Sequence, residues 1–151
     1  MNAIPHGYHT ATPYLIVNDA VSAIEFYKSA FNATEVMRLA DPSGKIAHAE
    51  VKIGDSSIML ADEHPDMGYV SPAALGNSPV SIMLYVENVD TAFEQAIKRG
   101  AVELRAISDQ FYGDRIGTLK DPFGHIWSLA THIEDVSPDE INKRFAAFFT
   151  Q

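Results

Sequence analysis

The chain has 151 residues and a formal charge of −9, with an apolar fraction ordinary for a globular protein. It is long enough to bury one sizeable core. There are no cysteines, which excludes disulfides, zinc–thiolate sites and thiol nucleophiles. The acidic surface repels nucleic-acid phosphates, and no basic stripe offsets it. No run approaches the roughly 18 apolar residues of a membrane span. The start, Met1 to Gly7, lacks the basic and apolar regions of a secretory signal, so a cytoplasmic protein is expected.

Thr12–Val17 is rich in β-formers and reads as a strand. Asn18-Asp19 offers an N-cap, and Val21, Ile24, Tyr27 and Phe31 follow at helical spacing, predicting a helix over 20–31. Residues 34–40 read as a strand, and Asp41-Pro42-Ser43-Gly44 as a tight turn. Ile46–Ile53 alternates, with Ala47, Ala49, Val51 and Ile53 on one face and His48, Glu50 and Lys52 on the other. A further strand spans Ser57–Ala61. The stretch from 62 or 63 to 79, rich in Pro, Gly and polar residues, shows neither periodicity and reads as a linker.

The pattern then restarts. Val80–Val86 is a strand. Asn88 caps a helix whose face is Val89, Ala92, Phe93, Ala96 and Ile97, and Gly100 ends it. Strands follow near 102–107, 115–120 and 125–133. Val17 aligns with Val86, Ala23 with Ala92 and Glu25 with Glu94 at one offset. Ala33 with Ala101 and Glu35 with Glu103 follow at an offset one residue shorter. The order of elements repeats more clearly than the letters do.

Ser137-Pro138-Asp139-Glu140 then combines an N-cap, Pro at the first helical position and Glu at the third, predicting a helix over about 137–149. Its aromatic stripe of Phe145, Phe148 and Phe149 packs either on its own domain or on a second copy in a homodimer. The expected organisation is one domain over 1–151. Module one covers about 9–62, the linker 63–79 and module two about 80–133, before the last helix.

Several strings carry a resemblance. They are His9-Thr10-Ala11-Thr12-Pro13-Tyr14-Leu15, Ala23-Ile24-Glu25-Phe26-Tyr27, His48-Ala49-Glu50, Tyr112-Gly113-Asp114-Arg115 and Asp121-Pro122-Phe123-Gly124-His125-Ile126-Trp127. Together with the element order they resemble the vicinal oxygen chelate (glyoxalase/bleomycin-resistance/dioxygenase) superfamily, in its PhnB-like branch. The resemblance implies an α+β fold of two tandem βαβββ modules. These form half-barrels around a small-molecule cavity, followed by a C-terminal helix.

Metal-dependent members of that family bind a divalent ion that polarises substrate oxygens. The resemblance places the family's ligand positions on Thr12, Ser81 and Ser128, with Glu50 as the one retained carboxylate. One carboxylate and three hydroxyls make a poor transition-metal site, so no metal or other cofactor is expected. A different metal site recruiting His9 or Tyr85 is the open alternative.

His48 and Glu50 are the candidate catalytic pair, either lining the cavity as acid and base or forming a solvated polar stripe. Tyr14, Met83 and Tyr85 share the inward parity of Thr12 and Ser81, as a ligand-binding lining or as core filling. Arg115, beside Asp114, clamps a ligand anion or braces a turn. Trp127 points away from Ser128 and is expected under a helix, and His132 is expected at the surface or the cavity mouth. Some relatives carry a methyltransferase label, but this sequence has no glycine loop of the dinucleotide or adenosylmethionine type. Three functions compete: a lyase, isomerase or oxygenase with a degenerate metal site, a non-catalytic protein that sequesters a drug or metabolite, and a scaffold or interaction module with an unused cavity.

Overall fold

A computed structural model describes residues 1–150. The chain divides into two compact units, residues 1–79 with 122–125, and residues 80–121 with those from 126 onward. Each unit holds a βαβββ module.

In the first unit the elements are β1 (Tyr14–Val17), α1 (Ala20–Phe31), β2 (Thr34–Ala40), β3 (Ile46–Ile53) and β4 (Ser56–Asp62). They form a mixed sheet of order β1-β4-β3-β2, with β1 parallel to β4 and the other pairs antiparallel. A 3₁₀ turn (Pro65–Met67) and the short helix α2 (Pro72–Leu75) follow. In the second unit β5 (Ser81–Tyr85), α3 (Val89–Lys98), β6 (Val102–Asp109), β7 (Asp114–Lys120) and β8 (Ile126–His132) form a sheet of order β5-β8-β7-β6. The helix α4 (Pro138–Ala147) comes last. No helix among the described residues is long and apolar enough to cross a membrane.

The two sheets share one register. Tyr14, Met59 and Glu50 lie side by side across β1, β4 and β3. Met83, Ser128 and Thr118 do the same across β5, β8 and β7. The duplication therefore extends to residue pairing, which single letters showed only faintly.

The capping residues are those expected. Asp19, Asn88 and Ser137 accept from the backbone N–H of Ser22, Thr91 and Glu140, which satisfies a donor that each helix start leaves open. In α1 the buried face is Ala20, Ala23, Ile24, Phe26, Tyr27, Ala30 and Phe31. Val21, expected inside, is exposed. The small Ala residues let the helix approach the sheet, so the buried stripe is centred one position away from Val21. In β3, Ala47 is exposed and Ile46 is buried, reversing the expectation for that end of the strand. A bulge accounts for the reversal: Leu39 pairs with His48 and Ala40 with Ile46, which leaves Ala47 as the extra residue, while Asp62 holds the Ala20 and Ile46 N–H groups at 2.7 Å each.

Three other expectations are corrected. The first strand begins at Tyr14 rather than Thr12, because Pro13 has no N–H for the ladder, although its carbonyl accepts from Met59 N–H at 3.0 Å. The linker is not irregular throughout. Buried Ser71 caps α2 and donates its hydroxyl to Glu63. The last helix ends at Ala147, and Phe148 and Phe149 form a turn.

The core of the second unit forms between α3 and one sheet face. Trp127, Leu129 and Leu119 are fully buried, as expected for Trp127, and the indole N–H donates to Asp121 at 2.9 Å. In the first unit Phe123 joins the aromatic cluster of α1, with ring centroids 6.2 Å from Phe26 and 6.4 Å from Tyr27. The DPFG turn thus contributes to a core, beyond the reversal its sequence predicts.

Candidate functional site

β3 carries His48 and Glu50 on the face that α1 does not cover. Glu50 is nevertheless only 6% exposed, so this face is not a solvated polar stripe. Its Oε1 lies 2.9 Å from His48 Nε2, and its Oε2 accepts from the Tyr8 hydroxyl. His48 Nδ1 lies 2.8 Å from the Tyr14 hydroxyl. These bonds make one chain, Tyr14–His48–Glu50–Tyr8.

The proton positions follow from the donors available. The hydrogen bonds from Tyr8 and His48 outweigh burial and hold Glu50 below the usual glutamate range, so it is a carboxylate and only accepts. His48 Nε2 therefore donates to it, and Nδ1 accepts from Tyr14. The Tyr14 phenol is pushed up, first by desolvation and then by Tyr69 and Glu50, so it keeps its proton. Tyr14 is about half-exposed, and this leaves the outer end of the chain open to a ligand. Tyr8 is a member that sequence reading missed, since nothing local links an N-terminal Tyr to a strand far along the chain.

The remaining candidates fall in two places. Thr12 lies in the first unit, half-buried two residues before β1. Ser81, Met83, Tyr85, Ser128 and Arg115 all lie in the second unit. Ser128 is bonded to Thr118 at 2.9 Å. Met83 and Tyr85 are exposed on the sheet face opposite α3. Arg115 does not pair with its neighbour Asp114. Its guanidinium bonds Asp90 through two nitrogens, at 3.0 and 2.9 Å, and Asp109 at 2.9 Å, which raises its pKa. It thus braces β7 against the start of α3. Asp114 turns the other way, accepting from Tyr85 at 2.7 Å and facing His132 Nδ1 at 2.8 Å.

This donor set does not fit a divalent transition metal. Thr12, Ser81 and Ser128 offer hydroxyls, and both Glu50 oxygens are already bonded. Among the described residues no group of three or more His, Asp or Glu, His9 included, is arranged to hold an ion.

Comparison with known proteins agrees with the fold. The Micromonospora sp. ML1 protein TioX superposes with a TM-score of 0.64 at 22% identity, covering 85% of this chain and 100% of that one. The PhnB protein of Bacillus cereus gives 0.59 at 21% identity, over 82% of this chain and 99% of that one. An uncharacterised protein of Mycobacterium tuberculosis (strain H37Rv) is 44% identical over 133 residues, 86% of this chain and 78% of the relative. The sequence model of the Glyoxalase/Bleomycin resistance protein/Dioxygenase superfamily matches residues 8–129, and the chain therefore belongs to that superfamily.

Proposed function

We propose that this protein binds a small oxygenated molecule on the β3 face and moves a proton next to its carbonyl group, as a metal-independent isomerase or lyase. The observation behind this reading is the committed geometry of His48. A nearly buried carboxylate holds Nε2, and Nδ1 faces an exposed phenol. When a ligand takes up the Tyr14 hydroxyl, Nδ1 is free as a base. It accepts the proton from the carbon beside the carbonyl, and Glu50 stabilises the imidazolium formed. The Tyr14 hydroxyl donates to the oxygen that gains negative charge.

The test is deuterium exchange from solvent into hydroxyacetone and related α-hydroxycarbonyl compounds, followed by proton NMR. Exchange should exceed the buffer rate and fall by about 10²-fold or more in Glu50→Gln and in His48→Ala. Exchange at the buffer rate across the panel, or unchanged exchange in both variants, rejects the reading.

A second reading, sequestration of a cationic ligand, draws support from the charge of −9. Thermal-shift measurements against cationic glycopeptides and aromatic drugs test it, and a flat profile removes it. We also propose a homodimer. Phe148 and Phe149 stay 58% and 74% exposed although Phe145 and Phe148 pack on Phe111, at 5.7 and 5.4 Å between ring centroids. Sedimentation of Phe148→Ser/Phe149→Ser against the parent chain reads the oligomeric state directly.

A further inference from the structure

The second unit pairs a buried carboxylate with an exposed histidine, and the β3 chain uses neither. Asp114, at the start of β7, is 5% exposed. Burial pushes its carboxyl up, but the bonds from His132 and Tyr85 outweigh burial and leave it ionised below the usual aspartate range. Asp114 therefore fixes the His132 Nδ1–H and points Nε2 the other way, an arrangement that orients an imidazole for an external partner. That partner is now Asp135, whose Oδ1 lies 2.7 Å from Nε2.

Asp135 is a weak occupant of the position. Its side chain is fully exposed, and water competes for both members of such a pair. Beside it lies a groove of about 510 Å³. Its lining mixes the polar Asp114, His132 and Asp135 with Tyr85, Tyr112, Val136 and Ile141. The groove is open along one side, so a ligand there rests against the wall with part of its surface in water. Ile141 comes from α4, which is held by Arg144 bonds to Glu134 and to the Phe111 carbonyl, so the wall is anchored.

We propose that this groove is a second ligand site, for a small aromatic carboxylate. The ligand's oxygens replace Asp135 on His132 Nε2, and its apolar body lies against Tyr112, Val136 and Ile141. Asp135 is then a built-in competitor that keeps the site closed to weak ligands. The displaced Asp135 stays tethered beside the contact and repels the incoming carboxylate, so its removal raises the affinity.

Phenylacetate is the probe, with benzylamine as its cationic counterpart, titrated into isotope-labelled full-length protein and followed by NMR. Asp135→Ala should bind phenylacetate at least tenfold more tightly than the parent, with shifts at the His132 ring and the Ile141 methyls. Adding His132→Gln should abolish this binding. If that double variant does not fold, Ile141→Gln on Asp135→Ala should weaken it instead. Glu50→Gln, which removes the carboxylate charge from the β3 chain, should leave the phenylacetate titration as it was. The proposal fails if Asp135→Ala gains no affinity, if benzylamine rather than phenylacetate shifts His132, or if the shifts map to His48.

Discussion

His48 and Glu50 stand two residues apart on β3, joined at 2.9 Å, with the carboxylate nearly buried and a phenol bonded at each end of the pair. Strand alternation puts both side chains on one face, and the neighbouring Tyr residues convert a polar stripe into a hydrogen-bonded chain. Replacing Glu50 by Ala leaves the Tyr8 hydroxyl and His48 Nε2–H without their acceptor. The expected loss is about 1–3 kcal/mol, read from urea unfolding. Glu50→Gln keeps an acceptor and should lose less. Equal losses in the two variants would show that the carboxylate's charge, and not an acceptor at this position, carries the stabilisation.

The His132 clamp predicts a pH dependence. Its bonds to Asp114 and then Asp135 raise its pKa above the ordinary value. A raised histidine stabilises the fold fully below its unfolded pKa of about 6.5, and loses that contribution as pH rises through the folded pKa. Glu50 and Asp114 run oppositely, because their pKa values are lowered. Their contribution is present above the ordinary carboxylate range and lost as pH falls through the folded values. The thermal midpoint of the parent chain minus that of His132→Gln should therefore shrink as pH rises from about 6 to about 9. A difference that is flat or grows over that range contradicts the clamp.

Gly117 sits in β7 under α3. A Cβ there would lie 2.8 Å from the Phe93 ring and 2.7 Å from Ile107. Gly117→Ala should cost about 1–3 kcal/mol through overpacking. Phe93→Leu in the same chain should recover part of that loss, giving a coupling that a double-mutant cycle measures by denaturant unfolding. Strictly additive losses would place the strain elsewhere.

Local signals account for what was legible in the sequence. The caps at Asp19, Asn88 and Ser137, the helix over 20–31 and the alternation from His48 to Val51 depend on neighbours a few residues away, and the structure has all of them, with the reversal at Ile46 and Ala47 the exception. The shared face of His48 and Glu50 has the same origin. What stayed hidden depends on register. Asp114 meets His132 because β7 and β8 pair at that position, and no local pattern specifies the pairing. Tyr8 reaches Glu50 across 42 positions of sequence. Arg115 looked like a partner for Asp114, but adjacent strand residues point to opposite faces, and its carboxylates come from α3 and β6 instead.

Phe123 shows why a turn motif understates its own role. Asp121-Pro122-Phe123-Gly124 reverses the chain, yet Phe123 is buried against Phe26 and Tyr27, and the adjacent His125 Nε2 lies 2.9 Å from the Ile16 carbonyl. Gly124 adopts φ 91°, and a Cβ there would meet Pro72 at 2.7 Å, so the tip must be glycine to seat the ring. Truncating the ring leaves a cavity within an aromatic cluster. Phe123→Ala should destabilise by about 3–5 kcal/mol, and Phe123→Leu by much less. Denaturant midpoints measure both. If Phe123→Ala unfolds within about 1 kcal/mol of the parent, the site has collapsed around the missing ring and the motif acts as a turn alone.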